Sequence, residues 1–288
     1  MYFEPSELII NPDGSIFHLR LKPEDIADTI LLVGDPGRVE LIGSFLDGIE
    51  FKKENREFVS ITGSYKGKRI TALSTGIGTD NIDIVVNELD ALANIDLKTR
   101  KQKDKLRSLN FIRIGTSGSL QRDVPVDSFL LSLKSIGFDG LLNFYEKREK
   151  ISDLGFEEAF KQHVDWDSNL TNPYVTAASS GLIEKLNGPE MHEGITISAP
   201  GFYGPQGRQL RIKAAMPDLN DKITDFEYKG QKITNYEMES SAIYGLSKHL
   251  GHHAATVCAI IANRVNKEYL KEYKRIIKHL IQIVLQRI

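Results

Sequence analysis

The amino-acid sequence predicts an α/β fold, a single domain over residues 1–288 built on a mixed central β-sheet with helices on both faces. Apolar strand-like runs alternate along the chain with segments whose apolar residues recur at three- and four-residue steps, which is typical of interleaved strands and helices. A chain of 288 residues with 41% hydrophobic residues can bury one large core. No linker interrupts the pattern.

Strands are predicted where β-branched and other apolar residues form short runs that end at turn residues. In chain order they are Thr29–Val33, Phe58–Tyr65, Arg69–Thr75, Asn110–Ile114, Ser128–Leu133, Gly194–Ala199 and Ala255–Ile261. The predicted helices are Val39–Phe45, Asn81–Leu92, Gly207–Ala214, Glu237–His249 and Asn266–Gln286. The apolar stripe of the last helix indicates docking on the sheet rather than on a membrane surface.

Charge and hydropathy restrict the partners. The formal net charge is −2, so we expect the charged segment 96–107 to be a solvated loop or helix rather than a nucleic-acid-binding patch. No stretch approaches the roughly 18 apolar residues of a membrane span, and no basic region followed by an apolar stretch opens the chain. We therefore expect a cytoplasmic protein that binds neither nucleic acid nor membranes. The single cysteine, Cys258, is predicted to be a small core residue.

The loop Gly201–Arg208 carries groups that suit the edge of a planar ligand. The amide of Gln206 offers an acceptor and two donors, and Arg208 adds a rigid fork of donors. Together they match the alternating carbonyl and N–H groups of a pyrimidine-dione, whose face Phe202 and Tyr203 could cover. Taken alone, the segment is more typical of an ordinary turn with a surface arginine.

Two strand ends carry groups suited to a phosphate. The first strand stops at a turn running from Gly34 to Arg38, where free backbone N–H groups and a permanent cation could bind an anion. Arg113 lies inside an apolar strand, where a charge is costly, and it needs either an internal carboxylate or a bound anion. The hydroxyls of Thr116 and Ser117 follow it. The Gly-x-x-x-x-Gly-Lys-Ser/Thr loop of nucleotide hydrolases is absent.

A pair of carboxylates opens the fourth predicted helix. Glu237 and Glu239 flank Met238 and could complement the positive N-terminal end of the helix dipole. They could instead accept hydrogen bonds from the two hydroxyls of a sugar diol. Both interpretations remain open from the residues alone.

Other chemistries lack their motifs. Gly76 and Gly78 follow a strand, but Asn81 stands where the dinucleotide fingerprint needs a third glycine. A histidine cluster near residue 250 has no cysteine or carboxylate completing a zinc-like spacing, so no metal is expected. No Gly-x-Ser-x-Gly elbow supports a serine hydrolase.

Across most of its length the chain resembles the uridine phosphorylase type of the purine and uridine nucleoside phosphorylase superfamily. The motifs that carry the resemblance are Ile16-Phe17-His18-Leu19, Gly34-Asp35-Pro36-Gly37-Arg38, Asn55-Arg56-Glu57-Phe58, Ser74-Thr75-Gly76-Ile77-Gly78, Arg113-Ile114-Gly115-Thr116 and Ile260-Ile261-Ala262-Asn263-Arg264. The resemblance implies cleavage of uridine by inorganic phosphate, as co-substrate, to uracil and ribose 1-phosphate. It implies no organic cofactor and no metal.

The resemblance also implies roles for individual residues. The phosphate would be bound by Gly34, Arg38, Arg113 and Thr116, with Arg56 reaching it from a neighbouring subunit. The base would be read by Gln206 and Arg208, beside Phe202, and the ribose would contact Glu237, Met238 and Glu239, with His18 of the neighbour near its 5′ end. The catalytic groups would be Arg38, Arg113, Gln206, Arg208 and Glu239. A homodimer or a trimer of dimers with shared active sites is therefore expected.

Two alternative functions remain. A purine nucleoside phosphorylase or nucleosidase of the same superfamily would carry an aspartate at the end of the last core strand, where this chain has Asn263. That difference and the loop pair Gln206 and Arg208 favour a pyrimidine. A non-catalytic nucleoside-binding protein would bind the same ligand without phosphorolysis.

Overall fold

A large mixed β-sheet organises the computed structural model, which describes residues 1–288. The strands are β1 (Thr29–Val33), β2 (Gly48–Asn55), β3 (Phe58–Tyr65), β4 (Lys68–Ser74), β5 (Ile95–Asp96), β6 (Lys101–Gln102), β7 (Asn110–Ser119), β8 (Phe129–Gly137), β9 (Tyr174–Ala177), β10 (Met191–Ser198), β11 (Glu227–Tyr228), β12 (Gln231–Glu237), β13 (His253–Asn263) and β14 (Glu268–Tyr269). All seven predicted strands are present, several of them longer than expected.

The sheet partly closes on itself, and this closure creates the site described below. Its strand order is β11-β12-β10-β8-β13-β7-β1-β4-β3-β2, with the central pairs of β7 to β1 and to β13 parallel. In addition, β12 pairs antiparallel with the end of β7, matching Asn235 with Ser119 and Tyr236 with Gly118. The carboxyl end of β12 therefore meets the carboxyl half of β7.

Helices cover both faces of the sheet. They are α1 (Pro36–Gly43), α2 (Thr79–Asn94), α3 (Leu154–Val164), α4 (Ser180–Leu186), α5 (Leu219–Asp225), α6 (Ser240–Leu250) and α7 (Lys274–Arg287). None of them combines the length and hydropathy needed to cross a bilayer.

The alternation of side chains along β1 shows the layering. Ile30 and Leu32 belong to a core of 26 buried residues that includes the apolar faces of α2 and α6. Leu31 and Val33 point the other way, into a core of 24 buried residues with α1 and α7. Because successive strand residues face opposite sides, both faces of the sheet are buried. The predicted fold class is thus confirmed.

The helix predictions need three corrections. No helix forms over residues 207–214, because Leu210 and Ile212 are 76% and 86% exposed and offer no face to a core. The predicted helix from Glu237 begins only at Ser240, since Glu237 is the last residue of β12. The C-terminal helix begins at Lys274, because the preceding residues 268–269 form β14 against β13.

Seven strands and three helices were not predicted. These are β2, β5, β6, β9, β11, β12 and β14, and α3, α4 and α5. The segment 96–107 is largely an exposed loop, as predicted, and it includes part of a small hairpin, β5 with β6, that binds the N-terminus of the chain. Phe3 N donates to Arg100 O over 2.9 Å, and Gln102 N donates to Met1 O over 3.0 Å. Cys258 is fully buried, which raises the pKa of its thiol to about 12.

Candidate active site

A cavity of about 950 Å³ opens where β1, β7 and β12 end. It brings together the proposed site residues except His18, Arg56 and Tyr203. Those that line it are Gly34, Arg38, Arg113, Thr116, Ser117, Phe202, Gln206, Arg208, Glu237, Met238 and Glu239, among other residues. Since these lie up to 205 positions apart, from Gly34 to Glu239, only the sheet topology brings them into one pocket.

One end of the cavity is built on the first turn of α1. The Asp35 side chain caps this helix by accepting from Gly37 N over 2.9 Å. Arg38 follows in the first turn and donates from Nη1 to Ile114 O over 3.2 Å. Burial lowers the pKa of Arg38, and the nearby Arg113 lowers it further. Two cations held close together away from water repel each other and lack hydration, so an anion bound beside them is strongly stabilising.

Arg113 is buried among carboxylates. Its Nε donates to Glu237 Oε2 over 3.0 Å, and its Nη2 donates to the carboxylate of Glu239. Burial disfavours the charged guanidinium, but Glu239 and Glu237 outweigh that effect and raise the pKa of Arg113. The internal carboxylates expected as one alternative are therefore present. The third nitrogen, Nη1, is buried without a hydrogen-bond partner and is free to donate to a bound anion.

Glu237 is saturated with donors from the protein. Besides Arg113, it accepts from the Ser198 hydroxyl over 2.5 Å and from the backbone N–H groups of Glu239 and Ser240 at 3.0 to 3.1 Å. Such contacts occupy about four lone-pair positions of a carboxylate. This matches the alternative in which Glu237 complements the start of α6, and it leaves little capacity for a sugar.

Glu239 differs from Glu237 in having unused acceptor capacity. Its carboxylate accepts from Gly78 N over 2.8 Å and from Arg113. Only 3% of the residue is exposed, and burial raises the pKa of its carboxyl to about 7, partly opposed by Arg113. Of the two glutamates, Glu239 is the one able to accept from a ribose hydroxyl.

At another part of the cavity, Gln206 and Arg208 form a preassembled pair. Arg208 Nη1 donates to Gln206 Oε1 over 2.5 Å and to Phe202 O over 2.6 Å. The guanidinium lies 3.7 Å from the centre of the Phe202 ring, a cation–π contact that flattens it against the aromatic face. Burial, with the neighbouring Arg264, lowers the pKa of Arg208 to about 10. Gln206 Nε2 donates to no acceptor of the protein.

Part of the cavity wall was not predicted from the sequence. Tyr269, Lys271 and Tyr273 line it, as does Glu57 next to the β2–β3 turn. The first three were hidden inside a predicted helix. The signal that could have found them is the repeated Lys-Glu-Tyr triplet at 267–269 and 271–273, which puts one tyrosine every four residues just before α7.

His18 and Arg56 lie together, outside the cavity of their own chain. Asn55 Nδ2 donates to His18 O over 2.7 Å, and Arg56 follows Asn55 at the β2–β3 turn with a φ of 55°. His18 Nδ1 lies 2.6 Å from Glu88 Oε1. The two residues expected to act on a neighbouring subunit thus form one structural unit.

Known proteins resemble this chain over most of its length. It is 30% identical to the uridine phosphorylase of Thermococcus kodakarensis, covering 90% of this chain and 81% of that protein. It is 29% identical to the uridine phosphorylase of Escherichia coli over 95% of this chain and 96% of the relative. A DeoD-type purine nucleoside phosphorylase of Listeria welshimeri is 28% identical over 84% and 85%.

Solved structures and a family model agree with these relatives. A nucleoside phosphorylase of Trypanosoma brucei, described as showing uridine phosphorylase activity, superimposes with a TM-score of 0.86 at 29% identity and covers 97% of this chain and 98% of its own. The model of the phosphorylase superfamily matches residues 28–288. The resemblance found in the sequence motifs is confirmed, and the chain belongs to the phosphorylase superfamily.

Proposed function

We propose that this protein is an enzyme that cleaves uridine with inorganic phosphate and releases uracil and ribose 1-phosphate. The observation that carries the proposal is that one cavity joins two kinds of polar group. Arg38 and the buried Arg113 supply two cations, and Gln206 with Arg208 supplies a planar set of donors. The uridine phosphorylases among the relatives and the structure from Trypanosoma brucei support the same activity.

The proposed chemistry requires charge to be stabilised at two places. As the N-glycosidic bond breaks, positive charge grows on the sugar and negative charge on the departing base. Phosphate held by Arg38 and by the free Nη1 of Arg113 would face the sugar and then bond to its anomeric carbon. Donors from Gln206 and Arg208 would stabilise the uracil anion that leaves with the bonding electron pair. Glu239 would fix the ribose between them.

The residue at the end of β13 favours a pyrimidine substrate over a purine. A purine base leaves most readily when an acidic side chain protonates it. This chain has Asn263 at that position, and Asn263 is 1% exposed and does not line the cavity. Its side chain is fully engaged, since Nδ2 donates to Gln121 O and Val124 O at 2.8 and 3.0 Å and Oδ1 accepts from Asn266 N at 2.8 Å. No proton for a purine is available from this residue.

We also propose that the active enzyme is a cytoplasmic homodimer or trimer of dimers with shared active sites. Support comes from His18 and Arg56, which are held together by Asn55 and lie outside their own cavity. In a dimer with two-fold symmetry, each subunit could place its His18 and Arg56 in the cavity of the other. The reaction proposed requires no organic cofactor.

A release assay tests the function. Purified protein is incubated with uridine, deoxyuridine, thymidine, cytidine, inosine or adenosine, with and without inorganic phosphate, and base release is measured. Phosphate-dependent release of uracil, exceeding that of any purine, is expected. A preference for inosine or adenosine would favour the purine alternative. Tight uridine binding, measured by calorimetry without product, would favour the non-catalytic binding protein.

A further inference from the structure

The carboxylate of Glu88, on α2, makes all its hydrogen bonds to the loop that carries His18. Its Oε1 accepts from His18 N over 2.9 Å and lies 2.6 Å from His18 Nδ1. Its Oε2 accepts from Leu19 N over 2.8 Å and shares the His18 N–H at 3.1 Å. Only 13% of the Glu88 side chain is exposed, so water competes little for these contacts.

This arrangement fixes the orientation of the imidazole. An ionised carboxylate can only accept hydrogen bonds, so Nδ1 of His18 must carry a proton and donate to Glu88. The other ring nitrogen, Nε2, is then directed away from Glu88. Asn55 holds the His18 carbonyl, and the Phe17 ring packs edge-on against the imidazole at 4.6 Å. His18 is therefore constrained at its backbone carbonyl, at one ring nitrogen and on one face of the ring.

The helix that carries Glu88 also reaches the cavity of its own chain. Asn81, in the first turn of α2, lines that cavity, and Glu88 lies seven residues later. With a rise of 1.5 Å per residue, the two positions are about 10 Å apart along one rigid element. A loop held from such an element is fixed relative to the sheet more precisely than a free loop.

We propose that Glu88 is a positioning residue for the sugar: it holds His18 so that Nε2 meets the 5′-hydroxyl of a nucleoside bound in the neighbouring subunit. This inference rests on the proposed function and on the shared site. A carboxylate that orients a histidine through its other nitrogen fixes both the tautomer and the direction of the ring, and losing it typically costs one to two orders of magnitude in metal sites built the same way.

The test compares uridine with 5′-deoxyuridine, which lacks the hydroxyl that His18 would contact. In Glu88→Gln, one carboxylate oxygen becomes a donor, so the side chain can no longer accept from Leu19 N and His18 Nδ1 together. We expect the ratio of kcat/KM for uridine to that for 5′-deoxyuridine to fall about tenfold, the loss of roughly one hydrogen bond. His18→Ala should lower the ratio similarly, and adding Glu88→Gln to it should lower the ratio no further.

Asp90→Asn is the matched control. Asp90 is two residues further along α2 and also faces a histidine, His252, whose Nε2 lies 3.1 Å away, but it makes no hydrogen bond to the His18 loop. Its substitution should leave the substrate ratio unchanged. Because both substrates are measured on one preparation, the ratio does not depend on the folded or assembled fraction.

Equal losses of Glu88→Gln on both substrates would show a merely structural role and overturn the proposal. An unchanged ratio in His18→Ala would also overturn it, because Glu88 would then have nothing to position. If the unaltered protein cleaves no uridine at all, the proposed function itself fails, and this inference falls with it.

Discussion

Arg113 Nε donates to Glu237 Oε2 over 3.0 Å, although 124 residues separate them along the chain. The contact exists because β12 pairs with the end of β7 and closes part of the sheet. It ties a cation to the carboxylate that caps the start of α6, and it leaves Arg113 Nη1 free within the cavity wall. A single ion pair thus connects fold closure to the proposed phosphate site.

Replacing Arg208 should damage base recognition alone. We expect Arg208→Ala to lower kcat/KM for uridine about a hundredfold or more, because one preplaced donor to developing charge contributes roughly 3 kcal/mol. The KM for phosphate should change little, since Arg208 contacts Gln206 and Phe202 rather than the cations at the other end. Arg211→Ala, an exposed arginine on the same loop, is the control and should behave as the unaltered protein. Near-normal uridine kinetics in Arg208→Ala would remove the loop from the active site.

We expect different roles for the two glutamates: Glu239 contacts the sugar, and Glu237 caps the start of α6. Glu239→Gln is expected to reduce activity on uridine more than on 2′-deoxyuridine, because a substrate without the 2′-hydroxyl has no contact to lose. A charged hydrogen bond of this kind is worth about 1.5 to 3 kcal/mol. Glu237→Gln should instead lower the free energy of unfolding and affect both substrates alike, since its carboxylate serves only protein donors. Equal effects of Glu239→Gln on both substrates would mean that Glu239 caps α6 and does not contact the 2′-hydroxyl.

The raised pKa of Glu239 predicts a pH dependence of stability. Burial raises this pKa from 4.5 to about 7, so the folded state favours the protonated carboxyl. Stability from this group is fully present below pH 4.5 and is lost as the pH rises through about 7. The Tm of the unaltered protein should therefore fall relative to that of Glu239→Gln as the pH rises from 4.5 to about 7. A difference that stays constant from pH 4.5 to 8 would contradict the raised pKa.

The sequence was most informative where local chemistry decided the outcome. The ends of β1 and β3 match the prediction because apolar runs stop there at strong turn signals. The motif residues meet in one cavity because they lie within β7 or at and beyond the ends of β1, β10 and β12. By contrast, the predicted helix at 207–214 failed because spacing alone cannot show whether Leu210 and Ile212 have a core to pack against.

The separate roles of the two glutamates also lay beyond the sequence. Glu237 and Glu239 are equivalent as carboxylates near a helix start. Only strand pairing brings Arg113 of β7 and Ser198 of β10 to Glu237, in addition to the local N–H groups of Glu239 and Ser240. Tertiary pairing of this kind leaves no periodic signal in the chain. The same holds for the cavity wall at Tyr269 and Tyr273, which depends on the short pairing of β14 with β13.

Mixed oligomers should reveal whether the active site is shared. Arg56→Ala and Arg38→Ala are each expected to be inactive, and Arg38 is suitable because it donates only one hydrogen bond to the protein. After dissociation and reassembly as a mixture, half of the dimers would contain one chain of each kind. One of the two sites in each would have both arginines, so about a quarter of full activity should return. As a control, Arg38→Ala mixed with Arg208→Ala should stay inactive, because both residues line the same cavity and every mixed site keeps one defect. If subunit exchange is verified and the first mixture also stays inactive, Arg56 does not act on the neighbouring site, and a fully active dilute monomer would lead to the same conclusion.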